Sequence, residues 1–150
     1  MGHQITALLG IVEPTIEELI TDIIRHALPA QATLAIRDVC TLSEIEDATA
    51  EGNLDLAVLF LNNLIAPNAE ERVASALAGV RHLASRGIPV ISLCGWTDAR
   101  RVANLASAAG SKFHFPSPFD VKLFEDAVRQ CLSRFVQNDN QYWVFTNSQN

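Results

Sequence analysis

The sequence predicts an α/β fold in which a five-stranded parallel sheet carries helices on both faces. Two observations predict it. Short, nearly continuous apolar runs alternate with longer segments whose apolar residues recur every third or fourth position, and this alternation is repeated five times. Strands buried on both faces read as continuous apolar runs because crossover helices cover both sides.

The first run covers residues 5–12, ITALLGIV. A helix is predicted from Thr15, where Thr15 and Glu18 have capping-box spacing and Pro14 precedes them. Ile16, Leu19, Ile20, Ile23, Ala27 and Leu28 form its apolar stripe, and Pro29 ends it. The second strand is read over 32–39 and a short helix over 42–51, capped by Thr41 with Glu44 or by Ser43 with Glu46. Gly52 closes that helix. The third strand, 54–61, is the most continuously apolar. The third helix, 69–86, has Asn68 as cap, Val73, Leu77, Val80 and Leu83 as stripe, and Gly87 as stop. A fourth strand over 88–93 has its proline near the start, where a missing N–H is best tolerated. Thr97 caps a fourth helix that ends at Gly110. A brief strand over 112–115 precedes a fifth helix starting near Asp120, with Val121, Phe124, Val128, Cys131, Leu132 and Phe135 on one side. Right-handed crossovers then lead to a doubly wound sheet, and five strands favour the flavodoxin-like order 2-1-3-4-5.

One hundred and fifty residues, 49% of them hydrophobic, suit one domain with a real core. The net charge of −6 and the scattered basic residues, with Arg100-Arg101 the one adjacent pair, disfavour nucleic-acid binding. Cys40, Cys94 and Cys131 are odd in number and far apart, without metal-ligand spacing, which suits a reduced cytoplasmic setting. The start has neither a signal-peptide pattern nor a myristoylation pattern, and no apolar run approaches the roughly 18 residues of a span, so no membrane insertion is expected.

Several strings, in a consistent order over residues 5–135, resemble the receiver domain of two-component response regulators. Glu13-Pro14 is similar to the acidic-then-proline stretch of the first receiver loop, and Asp55-Leu56-Ala57-Val58-Leu59 to the lead-in to the phosphorylated aspartate. Ile88-Pro89-Val90-Ile91-Ser92-Leu93 resembles the fourth receiver strand. Gly110-Ser111 followed by Pro118-Phe119-Asp120 resembles the family's last strand and the loop after it.

The resemblance implies lost chemistry. Receivers hold Mg²⁺ with an acidic pair after the first strand, and here Ile11 and Val12 stand at those positions, with Glu13 beside them. Phe60 matches the phosphoacceptor, Cys94 the switch hydroxyl and Ser117 the conserved lysine. The chain therefore reads as a degenerate receiver, a pseudo-receiver, with no cofactor expected. Its implied role is phosphorylation-independent protein–protein interaction in bacterial signalling. The resemblance also implies a cis Ser117–Pro118 bond.

The crevice at the carboxyl ends of the strands would be lined by Glu13, Asn62, Asn63, Cys94, Gly95, Trp96 and Ser117. Cys94 is either a thiol activated beside a helix N-terminus, the basis of an alternative small-ligand sensor or thiol enzyme, or a small residue filling the former hydroxyl site. His114 is its one candidate partner, on a face that alternation does not decide. Trp96 is either an interface anchor or a cover packed on its own fold, and Asn62 and Asn63 either meet a partner or fold back on the third helix. Arg100, Arg101 and Lys122, mixed with acidic neighbours, make the face of the fourth helix, fifth strand and fifth helix a candidate homodimer surface. Residues 136–150 form a polar tail apart from Tyr142-Trp143-Val144-Phe145, which is either a hook docked on the domain or a partner, or a free end.

Overall fold

The computed structural model describes residues 3–95 and 99–133. β1 (His3–Gly10), α1 (Pro14–Ala27), β2 (Ala32–Asp38), α2 (Leu42–Glu51), β3 (Leu56–Phe60), α3 (Ala69–Ser85), β4 (Val90–Cys94), α4 (Ala99–Ala109), β5 (Phe113–Pro116) and α5 (Val121–Cys131) alternate strictly. The strands form one parallel sheet in the order β2-β1-β3-β4-β5. This is the expected doubly wound, flavodoxin-like arrangement. In register, Leu9 lies beside Val58, Val58 beside Ile91, and Ile91 beside Phe113.

Alternation along each strand divides the interior into two layers. One packs α1 and α5 on the sheet through Ile20, Ile24, Phe124 and Val128, and includes Ile11, Val58 and Phe60. The other packs α2, α3 and α4 through Ile45, Val80, Leu83 and Val102, and includes Leu59, Leu61 and Cys94. β3 is buried at every residue because both layers cover it. At the end of β1, a Cβ on Gly10 would stand 2.6 Å from a Leu59 methyl, so the absent side chain lets β1 and β3 run side by side into the crevice.

Of the two capping pairs read for α2, Thr41 with Glu44 forms: Thr41 Oγ1 accepts from Glu44 N at 3.1 Å, and Glu44 accepts from Thr41 N. Asn68 caps α3 and Asp120 caps α5. α1 departs from the reading. It starts at Pro14, and its cap is the Glu13 carboxylate, which accepts from Ile16 N at 2.7 Å. Proline needs no N–H partner in the first turn, and a carboxylate suits the positive end of the helix. Two residues assigned to buried stripes are exposed, Leu19 and Val121. Leu19 sits about 100° around the helix from the buried Ile20, at the edge of the apolar face. Val121 opens its helix, in the first turn after the Asp120 cap, and is 45% exposed. The strands also shift at their ends, since ladder partners set the bounds: β4 runs on to Cys94 because Pro116 lies opposite.

Candidate functional site

The carboxyl ends of β1 and β3 carry the positions that matter most to phosphoryl chemistry. Ile11 is buried, and Phe60, the last residue of β3, is only 7% exposed. Both belong to the layer under α1 and α5, so the apolar core continues to the floor of the crevice. Val12 turns outward, and the Glu13 carboxylate is engaged in capping α1. Magnesium takes oxygen ligands in a near-octahedral shell. Ile11, Val12 and Phe60 offer none from their side chains, and among the described residues no three His, Cys, Asp or Glu side chains gather as a metal site. These residues do not fit the ion.

The two asparagines after β3 bind neighbouring loops rather than the third helix. Asn63 Oδ1 accepts from Val12 N at 3.0 Å and from Glu13 N at 3.3 Å. Asn62 Oδ1 accepts from Gly95 N at 2.8 Å. The loop after β3 is thereby tied to the loop after β1 on one side and the loop after β4 on the other. Ser117 N donates to the Cys94 carbonyl at 2.7 Å, which joins the loop after β5 to the set. Ser117–Pro118 is cis, as the resemblance implies.

Cys94 does not line the crevice. Its side chain is fully buried in the layer under α3 and α4, because alternation from the inward-facing Val90 turns Ser92 and Cys94 to the same face. On that face His114, which lies opposite Ser92 on β5, reaches Cys94: Nε2 is 3.2 Å from Sγ and Nδ1 is 2.7 Å from Ser92 Oγ. Ser92 Oγ lies 2.8 Å from Ser111 Oγ, which donates to the Phe113 carbonyl at 2.7 Å. One assignment of protons serves every link: the thiol donates to Nε2, Nδ1–H to Ser92, Ser92 to Ser111, and Ser111 to the carbonyl. Burial pushes the Cys94 thiol up and the His114 imidazole down, and both shifts favour the neutral forms this line requires. Of the two readings of Cys94, these shifts and its burial agree with the small filling residue rather than with a thiol activated by a helix N-terminus. Ser92 and Cys94 come from β4, His114 from β5 and Ser111 from the residues just before it, and only the strand register reveals them as one line.

Arg100, Arg101 and Lys122 are exposed on α4 and α5. Arg129 is held within its own helix by Glu125 and by Asp126. Leu123, which the sequence reading did not single out, is exposed on α5. Trp96, Tyr142 and Trp143 lie outside the described residues.

Comparison with solved structures bears on this geometry. A response regulator of Chloroflexus aurantiacus superposes with a TM-score of 0.66 at 14% identity, over 87% of this chain and 98% of that one. The receiver domain of a sensor histidine kinase of Pseudomonas aeruginosa gives 0.64 at 12% identity, over 89% and 99%. The fold is that of a receiver domain. The receiver from Pseudomonas aeruginosa coordinates magnesium in its active-site cleft, in contrast to the apolar floor formed here by Ile11 and Phe60. A pilus assembly protein of Burkholderia thailandensis has the same receiver-like fold, with a TM-score of 0.62 at 11% identity, over 87% and 98%. No protein-family model and no curated protein matches the chain.

Proposed function

We propose that this chain is a phosphorylation-independent, receiver-like interaction module of bacterial signalling or regulation. One observation supports the reading: within a receiver fold, the ends of β1 and β3, where the resemblance expects the acidic pair and the phosphoacceptor, carry Ile11, Val12 and Phe60. No side chain at those positions can form an acyl phosphate or hold a magnesium ion. The hydrogen bonds of Asn62 and Asn63 add to it, since they hold the loops in one arrangement without a ligand.

The module would meet a protein partner, and a second copy through the α4–β5–α5 face, where Arg100, Arg101, Lys122 and the exposed Leu123 stand among acidic residues. Incubation with acetyl phosphate and magnesium, followed by intact-mass measurement, is expected to show no covalent phosphate. Incorporation would overturn the reading. Equilibrium sedimentation of the wild type against a Lys122→Glu, Leu123→Ser variant tests the dimer, which the double change should dissociate.

A second reading, a thiol-based activity at Cys94, has one specific observation in its favour. Cys94, His114 and Ser92 have the spacing of a nucleophile, a base and the group that orients the base. The complete burial of the thiol opposes it. Titration with a small alkylating reagent between pH 6 and 9 decides, in a variant with Cys40 and Cys131 both changed to Ser: rapid labelling at neutral pH supports the activity, and inertness removes it.

A further inference from the structure

A shallow groove crosses the top of the sheet, from the start of α1 to the first turn of α3. Val12, Pro14, Ile65 and Ala66 give it an apolar surface, and Val12 and Ile65 leave 47% and 64% of their area in solvent. Isolated exposed aliphatics are ordinary, but these two line one groove. They are also held in place. Val12 N is bonded to Asn63, and Ile65 N donates to the Cys40 carbonyl at 2.8 Å. An apolar surface held ready loses little conformational entropy when a partner covers it.

Next to this groove lies a second hollow, which shares Pro14 with it. It is lined by Glu17, Glu18, Asp22 and Asp38, with Arg25 as its one cation. Arg25 lies 3.8 Å from Asp22. Glu17 and Asp38 lie side by side, and their hydrogen bond pushes the Glu17 carboxyl up to about 7. Two carboxylates so close repel each other, and a cation placed over them would relieve the repulsion. Arg72 borders the apolar groove at α3, on the other side of the sheet from α1.

We infer that these adjoining hollows form one docking surface for a basic segment of a partner protein. An apolar side chain would seat between Val12 and Ile65, and a neighbouring lysine or arginine would lie over Glu17 and Asp38. The assignment rests on charge complementarity: acid adjoins one side of the groove, so an acidic or purely apolar segment would be a poorer fit. The inference builds on the interaction-module reading and names the partner's chemistry.

The test titrates the full chain, labelled with ¹⁵N, with a short leucine–lysine peptide and with its leucine–glutamate counterpart. Saturable shifts are expected with the lysine peptide, confined to Val12, Ile65 and the first turns of α1. Ile65→Ser should weaken binding about tenfold, as loss of an anchor does. Glu17→Gln with Asp38→Asn should weaken it less and flatten its dependence on salt. All three residues reach solvent, so the variants should fold, and circular dichroism checks that they do. Equal binding of both peptides, shifts centred on Leu123 instead, or an unchanged Ile65→Ser variant would overturn the proposal. So would concentration-dependent shifts at Val12 and Ile65 without peptide, which would give the groove to a second copy. Failure here leaves the module reading standing, whereas phosphate incorporation would sink that reading first.

Discussion

The two halves of the sheet's carboxyl end differ in the side chains they present. At the ends of β1 and β3 the side chains of Ile11 and Phe60 are hydrocarbon and belong to the α1–α5 core. Along β4 and β5 polar groups are present and face inward, where Cys94, His114, Ser92 and Ser111 are hydrogen-bonded to one another in a line. In the first half Ile11, Val12 and Phe60 offer no oxygen ligand from their side chains. The second has a nucleophile and a base, but burial holds both neutral. Reactive residue types can therefore be missing from a position, or be present there with their hydrogen-bonding capacity consumed. The second case keeps the residues visible in sequence and hides their inertness.

The sharpest way to break this comparison is to return a carboxylate to the apolar half. Phe60→Asp places a charge in a packed apolar site and should lower stability in urea by about 3 kcal/mol. It should still take no phosphate from a phosphodonor with magnesium, because Ile11 and Val12 are unchanged; mass measurement checks that. Asn63→Ala removes the acceptor shared by Val12 N and Glu13 N and should cost about 1–2 kcal/mol, with amide shifts in the loop after β1. In the polar half, His114→Phe deprives Ser92 and Cys94 of their common partner. A loss of about 1 kcal/mol is expected, with the Cys94 thiol no more reactive than before. If that variant instead exposes a fast-reacting thiol, the line of hydrogen bonds was guarding a nucleophile.

The smallest expected effect lies outside both halves. The Glu17 carboxyl, raised to about 7 beside Asp38, binds its proton more tightly folded than unfolded, where its ordinary value is 4.5. Its contribution to stability is therefore complete below pH 4.5 and is lost as the pH rises through 7. The pair reaches solvent, so screening holds the change to about 1 kcal/mol or less. Glu17→Gln should flatten that part of the stability profile measured by urea denaturation between pH 4.5 and 8.

The order of elements, the cap at Asn68, the start of α5 near Asp120 and the choice of Thr41 or Ser43 as the cap of α2 were legible in neighbouring residues, and the strand order followed from the alternation of elements. Apolar periodicity reports which side of a helix or strand is buried, and caps are local hydrogen bonds. The identity of Phe60 alone also determined that β3 ends without a nucleophilic oxygen. Tertiary structure decided the rest. It turned Cys94 away from the crevice and brought His114 to it across a parallel ladder, which depends on register between strands far apart in sequence. It aimed Asn62 and Asn63 at the flanking loops, and left Leu19 and Val121 uncovered at the margins of stripes that looked buried. The physical reason is the range of the forces involved. Periodicity and capping act within a turn of chain, whereas burial and hydrogen-bond partnership are settled by whatever the fold brings opposite.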